Sequence, residues 1–229
     1  MDDDLDLRNF SNVTRLFPLP RVVMFPHAVL PLHVFEPRYQ ELTRDALADD
    51  KLITIVQLRL PASTPIGGLG SPPIEAVGCL GRIIQHDLLP DGRVNFLLLG
   101  RKRVRLAREI QSDKLYRSCE VEILEDEEDE LDETHRVELI RLFRKVIERD
   151  QKVDPDMASI LESALPLGVL TDIVAQALGL HAKVKQLLLA DPRINERAEC
   201  LLSILRQMQH SKGESQLDAR LFPPPFSVN

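Results

Sequence analysis

Tryptophan is absent from this chain of 229 residues, and aromatic residues make up only 4% of it. The core must therefore be built from leucine, isoleucine and valine. Cysteine is scarce. Cys79, Cys119 and Cys200 lie far apart and form no CxxC pair, which argues against a zinc ribbon or a dithiol redox site. The odd count argues against a disulfide framework, and the apolar neighbours of all three suit buried thiols. Positive charge is not in excess either: the formal net charge is −7, unlike a uniformly basic nucleic-acid binder. No apolar run approaches the roughly 18 residues needed to span a bilayer. The start, Met1-Asp2-Asp3-Asp4, has neither the basic region nor the apolar stretch of a signal peptide. The expectation is no membrane partner and a cytoplasmic location.

What is present changes texture along the chain. Residues 1–13 read as a flexible N-terminus, 14–124 as short strands and turns, 125–133 as an acidic linker, 134–210 as helices, and 211–229 as a disordered Pro-rich tail. From Glu125 to Glu133 every position but Leu131 is acidic, and a block of like charge repels itself and stays hydrated. Strands followed by helices imply an α+β chain.

In the first part, Leu16 to Pro20, Val22 to Pro26 and Leu30 to Phe35 are short apolar pieces broken by prolines, which remove ladder donors and favour extended predecessors. Pro37 suits the first turn of a helix running to about Ala48. Leu52 to Leu58 reads as a buried strand. Residues 60–75, rich in Pro and Gly, read as a long surface loop. Val77 to Leu89 and Val94 to Leu99 flank Pro90-Asp91-Gly92 as a hairpin. Val104 to Leu106 and Tyr116 to Leu124 add two strands. In the second part, stripes at Val137, Ile140, Phe143, Val146 and Ile147, then Met157 to Leu165, Leu170 to Leu178 with Gly179 as a cap, Val184 to Leu188, and Ala198 to Met208 predict five helices. Asp191 or Asn195 is available to cap the last.

Several of these pieces resemble, in order, the substrate-binding domain of Lon proteases. The resemblance is carried by Phe17-Pro18-Leu19-Pro20, Phe25-Pro26, and Leu30-Pro31-Leu32-His33-Val34-Phe35-Glu36-Pro37-Arg38-Tyr39. It continues through Val77-Gly78-Cys79-Leu80-Gly81-Arg82-Ile83, Pro90-Asp91-Gly92-Arg93, and Gly100-Arg101-Lys102-Arg103-Val104-Arg105. It ends in the helices, from Leu165-Pro166-Leu167 through Ala198-Glu199-Cys200-Leu201-Leu202, where the family carries E-R-x-E-x-L-L. It spans about residues 14 to 210. It implies a PUA-like mixed β pseudo-barrel lobe followed by an α-helical bundle lobe. It also implies a non-catalytic module that binds unfolded or tagged polypeptides, alongside a protease or chaperone in protein quality control. One departure matters. A full protease carries a G-x-x-x-x-G-K-[ST] phosphate loop, whereas Gly67-Gly68-Leu69-Gly70 lacks the lysine and leads into prolines. A stand-alone member without ATPase or protease parts is therefore expected, with no enzyme activity and no cofactor.

Within the resemblance, Pro18, Pro26, Pro31, Glu36, Pro37 and Arg38 read as structural, with Glu36 and Arg38 fixing a turn by local hydrogen bonds. Phe25, Phe35 and Tyr39 are the candidate polypeptide contacts, with core packing as their rival role. His27 and His33 lack the further ligands a metal site wants. His86 and Cys79 stand too far apart on one strand for a nucleophile pair. Arg101, Lys102, Arg103, Arg105 and Arg108 form a basic stretch, and an RNA-binding PUA-like module is the alternative reading. The missing aromatic interleaving counts against it, and the acidic run from Glu125 offers to neutralise the patch.

Overall fold

The computed structural model describes residues 7, 10–59, 72–127, 133–149, 161 and 165–210. It falls into two compact units that divide after Leu124. The first is a mixed sheet of six strands with one helix: β1 (Val13–Leu19), β2 (Val29–Val34), α1 (Pro37–Ala48), β3 (Leu52–Gln57), β4 (Val77–Leu88), β5 (Val94–Ile110) and β6 (Arg117–Leu124). The order is β2-β5-β4-β3-β1-β6, and β6 returns to pair with β5. Five strands therefore close into a pseudo-barrel, with β2 added outside the ring. Only β1 and β3 run parallel; the other pairings are antiparallel.

The closure depends on the 17-residue β5. Its first half pairs with β2 along Val94 to Leu99, and its second half pairs with β6 from Arg103 to Ile110. The two pieces expected at Val94 to Leu99 and Val104 to Leu106 are thus one strand. Two extra residues, Arg101 in the shift at Leu80/Gly81 against β4 and Ala107 in the shift at Leu106/Arg108 against β6, bend it through the corner, as bulges do; a third shift, at Ile83/Gln85, puts its extra residue, Ile84, on β4. Leu16, Leu52, Val56, Leu80, Val104, Cys119 and Val121 fill the interior. These are small and branched residues, as an aromatic-poor sequence requires.

Three glycines set close approaches. A Cβ on Gly78 would sit 2.6 Å from the Ile55 carbonyl oxygen, one on Gly81 2.7 Å from Leu98 Cγ, and one on Gly100 closer still to the Phe25 carbonyl oxygen. Gly92, at φ +87°, closes the β4–β5 hairpin. Its N–H donates to the Leu89 carbonyl at 3.0 Å, and the Leu89 N–H donates to the Arg93 carbonyl at 2.9 Å. The piece from Val22 to Pro26, expected to be extended, is a loop outside the ladders, buried from Val23 to Pro26. Of the loop expected at 60–75, residues 60–71 lie outside the described residues. Ile74 bridges Leu58.

The second unit has α2 (Glu133–Arg149), α3 (Leu167–Ala177), α4 (Ala182–Ala190) and α5 (Ile194–His210). In it, α5 packs on α2 and α3. The buried face of α2 is Leu139, Leu142, Phe143 and Val146. Val137, placed on that stripe by periodicity, is exposed, and so is Leu187 of α4. Gly179 is not a left-handed cap: α3 ends at Ala177, and Leu178 caps it in extended geometry, its N–H returning to the Val174 carbonyl. Of the helix expected at Met157 to Leu165, only Leu161 and Leu165 are described. The tail from 211 and most of the first 9 residues also lie outside the described residues.

The acidic run is not purely a solvated linker. The Glu127 N–H donates to the Pro192 carbonyl at 2.9 Å, Glu127 bridges Arg193, and Glu133 opens α2. Residues 128–132 between them lie outside the described residues. No helix among the described residues is long and apolar enough to cross a membrane.

Candidate functional site

The residues that carry the family resemblance meet one another in the fold. Phe25-Pro26-His27-Ala28 is a tight turn: the Ala28 N–H donates to the Phe25 carbonyl at 3.4 Å, and His27 has φ 64°. Proline at the second position and positive φ at the third are the type II pattern. This turn lies on Gly100, whose N–H donates to the Ala28 carbonyl at 2.8 Å and whose carbonyl accepts the His27 N–H at 2.9 Å. Phe25 is 0% exposed, so its side chain belongs to the core.

Tyr39 has the same fate. Its ring stacks on Phe17 at 4.0 Å, its hydroxyl donates to the Pro18 carbonyl at 2.9 Å, and burial pushes its phenol up to about 12. Pro18 lies within β1, past the stretch paired with β6. Its nitrogen faces the same unpaired side as its carbonyl, where no ladder donor is wanted. Pro37 opens α1. Arg38 donates twice to Glu36 Oε2, at 3.0 and 2.7 Å, and lies 4.7 Å from the Tyr39 ring centroid. Of the three aromatic candidates, only Phe35 offers surface, at 46% exposure.

Phe35 follows an arm of the sheet made by β2, the first half of β5 and the distal half of β4. Beyond Arg82, β4 has lost its β3 neighbour, and Ile84, Gln85, His86, Asp87 and Leu88 are all exposed. On the outer face, the cross-strand register places Val29 with Leu99, Pro31 with Leu97, and His33 with Asn95. Val29 is exposed and the others are half-buried. His33 Nδ1 lies 2.6 Å from Asn95 Oδ1. Val29, Phe35, Ile84 and Leu88 are among the largest exposed apolar side chains of the unit. Sequence reasoning missed Ile84 and Leu88, because both sit in a strand whose burial ends halfway along.

Two members of the basic stretch are paired within the β unit, and a third is buried. Arg105 lies 3.9 Å from Glu122, and Arg108 pairs with Glu120 at 2.6 Å; both glutamates stand on β6. Arg103 is 3% exposed. Among the described residues no group of three or more His, Cys, Asp or Glu side chains could hold a metal ion.

In the helical unit, Arg197 is 1% exposed. It donates to both carboxylate oxygens of Asp126 at 2.9 Å, to Thr171 Oγ1 at 3.3 Å, and to the Asp191 carbonyl at 3.0 Å. Asp172, also 1% exposed, lies 4.0 Å away. Gly168 leaves room for this pair, since a Cβ there would fall 2.6 Å from Asp126 Oδ2. Lys185 donates to the Gln176 carbonyl at 2.8 Å, and burial lowers its amine to about 8.

Comparison with known proteins places this architecture. The family model described as the ATP-dependent protease La (LON) substrate-binding domain matches residues 13–207. The chain is 29% identical over 192 residues to a Lon protease of Xanthomonas oryzae, covering 83% of this chain and 22% of that protein. It is 30% identical over 194 residues to the Lon protease of Escherichia coli K12, covering 83% and 24% respectively. It thus spans about a quarter of the length of these curated relatives. Among solved structures, the N-terminal domain of a Mycobacterium avium complex Lon protease aligns with a TM-score of 0.67 at 17% identity, covering 85% of this chain and 98% of that one. A Lon N-terminal domain protein from Xanthomonas campestris aligns at 0.60 and 26% identity, covering 83% and 97%.

Proposed function

The chain belongs to the ATP-dependent protease La (LON) substrate-binding domain family, and on that premise we propose that it is a polypeptide-binding module. It holds unfolded or tagged chains that it neither cuts nor pulls. The observation that carries this reading is the match to a substrate-binding domain across residues 13–207. The matched part is not the ATPase or protease part of the relatives, and these 229 residues contain no G-x-x-x-x-G-K-[ST] loop.

The contact surface is the arm of the β unit, with Phe35, Val29, Ile84 and Leu88 supplying apolar area. Exposed apolar groups gathered on one sheet segment favour a partner over solvent. The module acts in the cytoplasm as an adaptor that hands clients to a separate protease or chaperone. With Arg105 and Arg108 paired to glutamates, protein clients are favoured over RNA.

The test is direct. Purified chain is titrated with a fluorescently labelled, reduced and carboxymethylated protein, with the native form of the same protein as control. Saturable binding of the unfolded form alone, without nucleotide, is the expected result. Binding only to RNA, weakening steeply as salt rises, is the result that overturns it.

A further inference from the structure

Among the described residues the arm has two edges with no strand paired to them, and they are not equivalent. The edge of β2 carries Pro31. Proline can stand in a paired strand only with its nitrogen facing away from the neighbour, so Pro31 removes the central donor from that edge and fills its place with ring carbons. Such a proline is a standard guard against strand addition. The other edge is the distal half of β4. The hydrogen bond from Leu89 N–H to the Arg93 carbonyl makes these two a bonded pair. By alternation, Asp87 with Asn95 and Gln85 with Leu97 are bonded pairs too. The N–H and C=O groups of His86 and Leu88 therefore point to the side that β3 has left. This edge holds no proline, and all five residues from Ile84 to Leu88 are exposed.

Resting on the polypeptide-binding reading, we propose that the client is held by strand addition at this β4 edge. The occupant is an extended segment with apolar residues at alternate positions and a basic residue opposite Asp87. The chemistry of the edge selects it. Leu88, 64% exposed, shares a face with His86 by alternation, so an apolar client residue two positions from the central one covers it; Ile84, 50% exposed, is the extra residue of the bulge between Ile83 and Gln85 and adds apolar area at the far end of the edge. Asp87 stands on the other face, where a lysine or arginine of the client complements its charge; Asp91, the next carboxylate along, is already held by Arg93 at 2.6 Å. Main-chain bonds to His86 and Leu88 give affinity without a fixed client sequence, as unfolded clients require.

The experiment separates backbone from side chain. His86→Pro deletes one edge-facing donor while leaving the bonds to β5 intact, and His86→Ala removes the side chain alone. The probes are the carboxymethylated protein above and a short labelled peptide that alternates valine with threonine and carries one lysine. His86→Pro should weaken binding of both by at least about tenfold, while His86→Ala stays near the parent. Replacing the lysine of the peptide by glutamate should weaken it further. A double Ile84→Asp, Leu88→Asp variant keeps the backbone and serves if the proline variant does not fold; it too should lose both probes. Undiminished binding by either altered edge overturns strand addition at β4 and leaves the polypeptide reading standing. Failure of the parent chain to bind the unfolded protein overturns both.

Discussion

In the β unit, three arginine–glutamate pairs lie at the surface. Arg105 and Arg108 reach Glu122 and Glu120 across neighbouring strands, and Arg38 and Glu36 hold each other in the open. In the helical unit, Arg197 is buried with two carboxylates and two main-chain carbonyls around it. The difference follows from what each unit has to fasten. A ring of strands satisfies its backbone by ladders, so these surface pairs have little to fasten. Residues 125–127 of the helical unit are not helical, and a many-armed arginine fixes them on α5.

The sharpest test of this contrast is to remove the buried ion. Arg197→Leu takes away the guanidinium beside buried Asp172 and half-buried Asp126, and breaking a buried pair in this way costs about 3–5 kcal/mol. Asp126→Leu in the same chain should restore part of that, because one of the carboxylates facing the lost guanidinium is gone. Arg108→Ala, its counterpart in the β unit, should cost only about 0.2–1 kcal/mol, the value of an exposed pair. Chemical denaturation of the three variants checks this. Equal losses for Arg197→Leu and Arg108→Ala would end the distinction.

The β unit depends on close packing where the helical unit depends on charge. Gly100→Ala drives a Cβ into the Phe25 carbonyl and should cost about 1–3 kcal/mol, as overpacking does. Gly92 has open space where a Cβ would be, so Gly92→Ala meets only the strain of positive φ and should cost about 1 kcal/mol. Unfolding midpoints of the two variants give the order. A larger loss for Gly92→Ala would mean that the Phe25 turn shifts easily, and that the sheet is less tightly determined than its glycines imply.

These same residues explain how much of the fold is legible in the sequence. Pro37, the Pro90-Asp91-Gly92 turn and the alternation of Cys119, Val121 and Ile123 are local signals, and each element appears where they place it. Phe25 and Tyr39 go to the core rather than to a binding surface, because their burial depends on Gly100 and Phe17, which are distant in sequence. The continuity of β5 is hidden by the charged run Arg101 to Arg105, which alternation rules count as a break. Its glutamate partners on β6 come from strand register rather than spacing. Ile84 and Leu88 are invisible because nothing in the sequence says where β3 stops covering β4.

Lysine extends the contrast to pH. Lys114 of the β unit pairs with Asp45 at 2.7 Å, and that hydrogen bond raises its amine above the ordinary value. Lys185 of the helical unit is lowered to about 8 by burial alone. Unfolded lysine keeps its proton to about pH 10.4. Between about pH 8 and that value the unfolded chain holds a proton at position 185 that the folded chain has released, so this group makes stability rise with pH there. Below about 8 both states are charged and the full burial penalty is present. Lys114 acts the other way: its contribution is present below the unfolded value and is lost as pH rises through the raised folded one. Lys185→Met should therefore flatten the rise of stability from pH 8 to 10, and Lys114→Met should leave that rise in place. Denaturation midpoints across this range decide it. Parallel curves for the parent chain and Lys185→Met would show that the ammonium finds water despite its burial, and that the helical interior is wetter around α4 than around Arg197.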